Sequence, residues 1–119
     1  MLGSLKQDRV LTLIDEALLQ VSTLGGNGIA EVITALEKTR HVLASPVRAD
    51  RDVPLVLSAA RWRVAHVEKY TVSRIVHDDD VDGQTMSILV RVRLICAEAL
   101  RILDRALDDL RSSRVRYQS

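Results

Sequence analysis

Several groups of residues in this 119-residue chain have types and spacings suited to chemistry. The run Asp78-Asp79-Asp80-Val81-Asp82-Gly83 concentrates carboxylate oxygens between two helical patterns. The same run also reads as an acidic, solvated connection in which Asp82 caps the helix that follows, where acid suits the positive helix end. His66, Tyr70, Ser73 and His77 recur at spacings of four, three and four, which places them on one helix face. That face is read as an interface row or as a ligand or proton-transfer site completed by a partner helix. His66 and His77 lie about 16 Å apart along a helix axis, too far to share a metal. Arg61 precedes His66 by five residues, pairing a permanent cation with a proton carrier. Each helical segment also carries a glutamate: Glu16, Glu37, Glu68 and Glu98.

The Asp78–Gly83 run resembles the first half of an EF-hand calcium loop, with oxygens at alternate positions and a glycine at the sharp turn. The resemblance implies calcium held by Asp78, Asp80 and Asp82. In that register Leu89 stands where the family has its bidentate Glu, and Thr85 where it has an aliphatic residue. Arg61-Trp62-Arg63-Val64-Ala65-His66 has the R-x4-H spacing and resembles the HEPN ribonucleases, small helical bundles that work as dimers. That resemblance implies that Arg61 positions phosphate and His66 moves the proton of a 2′-hydroxyl. Trp62 stands where that family commonly has a polar residue. Ferritin-like di-iron bundles need Glu-x-x-His on two helices. Here Arg40 and Arg101 occupy the histidine positions, and His41 follows Glu37 by four residues. The chain has no Ser-His-Asp, Cys-His or HExxH pattern and no Walker loop. Gly25-Gly26-Asn27-Gly28 follows a helix rather than a strand, so it reads as a helix–helix turn.

The elements that must position these residues are amphipathic helices. The stretch Met86–Leu110 carries apolar residues at Leu89, Val92, Cys96, Ala99, Leu103, Ala106 and Leu110, a helical three-and-four alternation. Ile88, Ile95 and Ile102 form a second row beside it. The apolar arc is roughly 160°, wider than an ordinary surface stripe. Ser4 to Gln7 has capping-box form, and Val10, Ile14, Ala17, Val21 and Leu24 continue from it. Gly25 is the expected left-handed terminator and Asn27 the expected cap of the next helix. Ile29, Val32, Ile33, Leu36 and Leu43 mark that second helix until Ser45-Pro46 stops it. Asp52 and Pro54 open a third helix with a face of Val53, Leu57, Ala60, Val64, Val67, Thr71 and Ile75.

The expected fold is therefore all-α: one domain over 1–119, an antiparallel up-down-up-down four-helix bundle. Its helices run about 4–24, 28–44, 52–77 and 83–111, with a flexible tail at 112–119, and helices three and four are longer than one and two. Part of the longer pair then projects with apolar surface uncovered. Leu55, Trp62, Ile88, Ile95 and Ile102, with His66, Tyr70, Ser73 and His77, form the expected interface or ligand face.

Composition agrees. Hydrophobic residues make up 47% of the chain and aromatics only 3%, which favours an aliphatic helical core over a sandwich or barrel. The formal net charge is +1, too balanced to steer the chain to nucleic acid or an anionic membrane. A basic tail (Arg111, Arg114, Arg116 with Tyr117) is the one feature that would touch RNA or an acidic partner. Cys96 is the single cysteine, so no internal disulfide forms and a reducing, cytoplasmic setting is expected. No run is long and apolar enough for a membrane span. The expectation is a non-enzymatic homodimeric adaptor, regulator or assembly subunit with a protein partner and no cofactor. A HEPN-like nuclease and a calcium- or iron-binding bundle are the alternatives.

Overall fold

The computed structural model describes residues 4–26, 28–45, 50–77 and 81–118, with side chains described over 8–26, 28–45, 51–77 and 81–112. Four helices make up these residues: α1 (Ser4–Val21), α2 (Ile29–Ala44), α3 (Val53–His77) and α4 (Gly83–Gln118). Their lengths are 18, 16, 25 and 36 residues. No strand is present among the described residues. α1 packs on α2 and α4, and α3 packs on α2 and α4. The pairs α1–α3 and α2–α4 make no close backbone approach among the described residues, so the four helices surround one core. The molecule measures 56 × 24 × 21 Å. At 1.5 Å per residue α4 alone spans about 54 Å, so this helix sets the long dimension.

The core is built from most of the apolar stripes read from the sequence, although Leu24, Ile33, Ile75 and Leu110 are only half-buried. Val10, Ile14, Ala17 and Val21 of α1 are buried, as are Val32, Leu36 and Leu43 of α2. Val53, Leu57, Ala60, Val64 and Val67 of α3 meet Val92, Cys96, Ala99, Leu103 and Ala106 of α4. Two polar side chains share this interior. Thr39 donates to the Ala35 carbonyl at 2.7 Å, and Thr71 donates to the Glu68 carbonyl at 2.7 Å. Each hydroxyl is thus satisfied by its own helix and adds no unmet polar group.

The helix ends depart from expectation in instructive ways. α1 stops at Val21 rather than near Leu24. There the Thr23 and Leu24 amides donate to the carbonyls three residues back, Gln20 and Val21. The Ser22 and Thr23 hydroxyls also turn back onto Leu19 and Gln20 carbonyls, a competing local pattern that tightens the last turn. The left-handed glycines are Gly26 (φ 114°) and Gly28 (φ 88°), not Gly25. Gly28 itself precedes α2, without a side-chain cap; Asn27, the expected cap, lies outside the described residues. Ser45 is extended (φ −73°, ψ 139°), as a residue before proline should be. A short 3₁₀ turn, Asp50–Asp52, leads into α3. The α4 helix continues to Gln118 rather than ending at 111.

Exposed ion pairs mark which helix flanks meet. Arg40 of α2 reaches Asp15 of α1 at 2.6 Å, and Arg9 of α1 reaches Glu98 of α4 at 2.9 Å. Arg61 of α3 pairs with Asp104 of α4. All are solvent-exposed or nearly so, and each contributes about 0–1 kcal/mol. Among the described residues, no helix is long and apolar enough to cross a membrane.

Candidate functional site

A groove of about 370 Å³ runs between α2 and α3. Its α2 wall is one helix flank: Ala30, Thr34 and Ala35 keep it low, and Glu31 and Lys38 stand in it as charges. Thr34 is not a free donor, because its hydroxyl bonds the Ala30 carbonyl at 2.9 Å. The α3 wall is Trp62, Arg63 and His66. Trp62 is 70% exposed. Its ring stacks on that of His66, with centroids 6.2 Å apart and planes 14° apart. The i, i+4 spacing on a helix sets up such a pair. Arg63 is half-buried, and its Nη1 is closed off from solvent with no hydrogen-bond partner among the described residues.

The next turns of α3 pin the α1–α2 connection. Tyr70 is half-buried and packs against the core. A Cβ at Gly28 would stand 2.7 Å from Tyr70 Cε2. Gly28 is therefore required twice, by its backbone conformation and by the ring it touches. Arg74 Nη1 donates long bonds to the Gly25 carbonyl (3.4 Å) and to the Tyr70 hydroxyl (3.5 Å). So the His66–Tyr70–Ser73–His77 row divides. His66 lines the groove and Tyr70 serves the fold, while Ser73 and His77 are exposed.

The remaining sequence candidates fall in different places. Arg61 and His66 diverge: Arg61 reaches across to Asp104 on α4, while His66 lines the groove with α2. Within one chain they do not converge on a common point. Asp78 and Asp80 lie outside the described residues. Asp82 is exposed, and its Oδ1 accepts the Thr85 amide at 2.6 Å, so it caps α4. That amide bond, and a second hydrogen bond from the Thr85 side chain, hold the Asp82 carboxyl below its ordinary value. No group of three potential ligands gathers to hold a metal among the described residues. Glu16 and Glu37 are exposed, and Glu98 is engaged by Arg9. Arg114, Arg116 and Tyr117 of the basic tail have no described side chains.

On α4 the isoleucine row is largely covered. Ile95 is 7% exposed, and Ile88 and Ile102 are half-buried against the core. At about 100° per residue this row lies on the flank opposite Asp104. Asp104 faces α3, so the isoleucines face α1. Among the described residues, the uncovered large apolar side chains of α4 are instead Val90 and Leu94, and those of α3 are Leu55, Trp62 and Val76. Sequence reasoning did not single out Arg63, Lys38 or Leu94. Leu94 had a legible signal, an apolar residue outside both rows. Arg63 and Lys38 had none, because only the packing of α2 on α3 brings them together. Cys96 is buried as expected, and burial, then the negative charge of Glu68, pushes its thiol up to about 12.

Fold and groove define the class: a four-helix, all-α protein with an aromatic–cationic cleft between two of its helices. No protein family, curated protein or solved structure matches the chain.

Proposed function

We propose that this chain is a non-enzymatic interaction protein, an adaptor, regulator or assembly subunit, that works as a homodimer or higher oligomer through α3 and α4. The observation that carries this reading is apolar surface left facing water. Leu55, Trp62 and Val76 on α3 and Leu94 on α4 are each more than half exposed. Leu55, Trp62 and Val76 fall at multiples of seven residues, one row of a helix. Val90 and Leu94 sit one turn apart on α4. Leu19 of α1 is also exposed, but it stands alone on its helix; exposed apolar groups grouped on two neighbouring helices mark an interface. Nearly balanced charge places no electrostatic barrier in front of a second copy.

The reading takes the fold as an antiparallel up-down-up-down bundle whose third and fourth helices outrun the first two. Arg40 late in α2 meeting Asp15 within α1 supports that direction, as does Arg61 meeting Asp104 across the α3–α4 pair. It also places the protein in a reducing cytoplasm, a setting that suits a lone buried thiol. Multi-angle light scattering tests the reading. The expected mass is twice the 13.3 kDa of one chain. A monomer mass at high concentration removes the argument.

A further inference from the structure

Arg63, which lines the α2–α3 groove, carries a charged donor that nothing described answers. Arg63 Nη1 is buried without an acceptor among the described residues. A guanidinium N–H in that position carries its full desolvation penalty. Arginine does not escape it by losing a proton. The remedy is an acceptor brought from outside, met by a small outward turn of the half-buried guanidinium into the groove that Arg63 lines. We propose that this groove binds a small planar carboxylate, its oxygens on Arg63 and its flat apolar body against the Trp62–His66 stack.

The volume of about 370 Å³ lies within the range of small-molecule sites. Trp62 offers an exposed ring whose orientation is set by stacking on His66, a ready surface for a second flat group. Charge selects the class of anion. Glu31 offsets one of the two cations, Arg63 and Lys38, so the lining carries a single net positive charge. That matches a monoanion and disfavours a phosphate dianion, which Glu31 would repel. A guanidinium suits a carboxylate in geometry as well as charge. The walls come from α2 and α3, so the site does not depend on self-association through α3 and α4, although Trp62 borders both.

Trp62 is the only tryptophan, so its indole N–H gives a single resonance that reports on the groove directly. The full chain is titrated with 2-naphthoate, and with 2-naphthalenemethanol as the uncharged control. Saturable movement of the indole resonance is expected, with a Kd of about 1 mM or tighter. The alcohol should bind at least about tenfold more weakly, and Arg63→Gln should weaken naphthoate by at least about tenfold. Lys38→Gln, at an exposed position that leaves the core untouched, should weaken it severalfold and covers the case in which Arg63→Gln fails to fold. No saturable shift with naphthoate overturns the proposal, as does equal binding of the alcohol or undiminished binding by both variants. The titration is repeated on Leu94→Asp, a change on α4 outside the groove lining that opposes self-association, and naphthoate binding is expected there too, so this site and the self-association reading fail separately.

Discussion

Leu94 and Ile95 are neighbours in sequence and opposites in fate. Leu94 is 61% exposed and Ile95 7%. Both are large aliphatic residues on α4, and neither belongs to the main stripe of Leu89, Val92, Cys96, Ala99 and Leu103. The difference lies in their neighbours. Ile95 stands on the flank that α1 covers, where Arg9 reaches Glu98. Leu94 stands beyond the outer edge of the flank shared with α3, where no described helix follows. A wide apolar arc on a helix therefore says how much surface wants cover, while the packing of other helices decides which part receives it.

The contrast is sharpest in stability. Ile95→Ala should destabilise the fold by about 2–5 kcal/mol, the usual cost of emptying a buried aliphatic site. Leu94→Ala should change the stability of dilute protein by no more than about 0.5 kcal/mol. Urea denaturation at low protein concentration compares the two, and equal losses would break the contrast. A second pair sits at the α1–α2 connection. Gly28→Ala combines a left-handed backbone with a Cβ 2.7 Å from the Tyr70 ring, and should cost about 1–3 kcal/mol. Gly25→Ala, where a Cβ meets nothing within 4 Å, should be far milder. Thermal unfolding of both variants reads the difference.

Smaller effects follow at the start of α4. Asp82→Ala removes the cap on Thr85 and should lower the Tm by a few degrees. Because the folded carboxyl titrates below its ordinary value of 3.8, its contribution is fully present above that value. It is lost as pH falls through the lower, folded value. The Tm gap between wild type and Asp82→Ala should therefore be open at neutral pH and close in strong acid. A pH series of melting curves checks the sign. The smallest expected change is none. Cys96, with a thiol near 12 and inside the core, should ignore a thiol-specific disulfide reagent until the chain unfolds. Rapid labelling of native protein would place Cys96 at the surface and undo the assignment of the α4 stripe.

Much of this fold was legible because burial follows a period. Val10, Ile14, Ala17 and Val21, or Leu57, Ala60, Val64 and Val67, identify their own inward face from spacing alone. The isoleucine row of α4 was legible as apolar but not as covered, because its cover comes from α1, distant in the chain. The helix ends were less legible. Ser22 and Thr23 compete for the carbonyls that would have continued α1, and Gly26 and Gly28 took the left-handed conformation for which Gly25 looked best placed. Of the α2–α3 cleft, only Trp62 and His66 could be picked out. Lys38 and Arg63 are ordinary helix-surface residues until α2 is laid beside α3, and an unanswered Nη1 is a property of packing that no spacing encodes.

In the proposed dimer, the apolar face of α3 and α4 meets a second copy. Sedimentation equilibrium of wild-type protein beside Leu94→Asp tests it most directly. The wild-type mass should rise with concentration toward twice the 13.3 kDa chain, while Leu94→Asp should stay folded and near one chain. A wild-type mass fixed at one chain across the whole range would contradict it, as would a Leu94→Asp protein that associates just as readily.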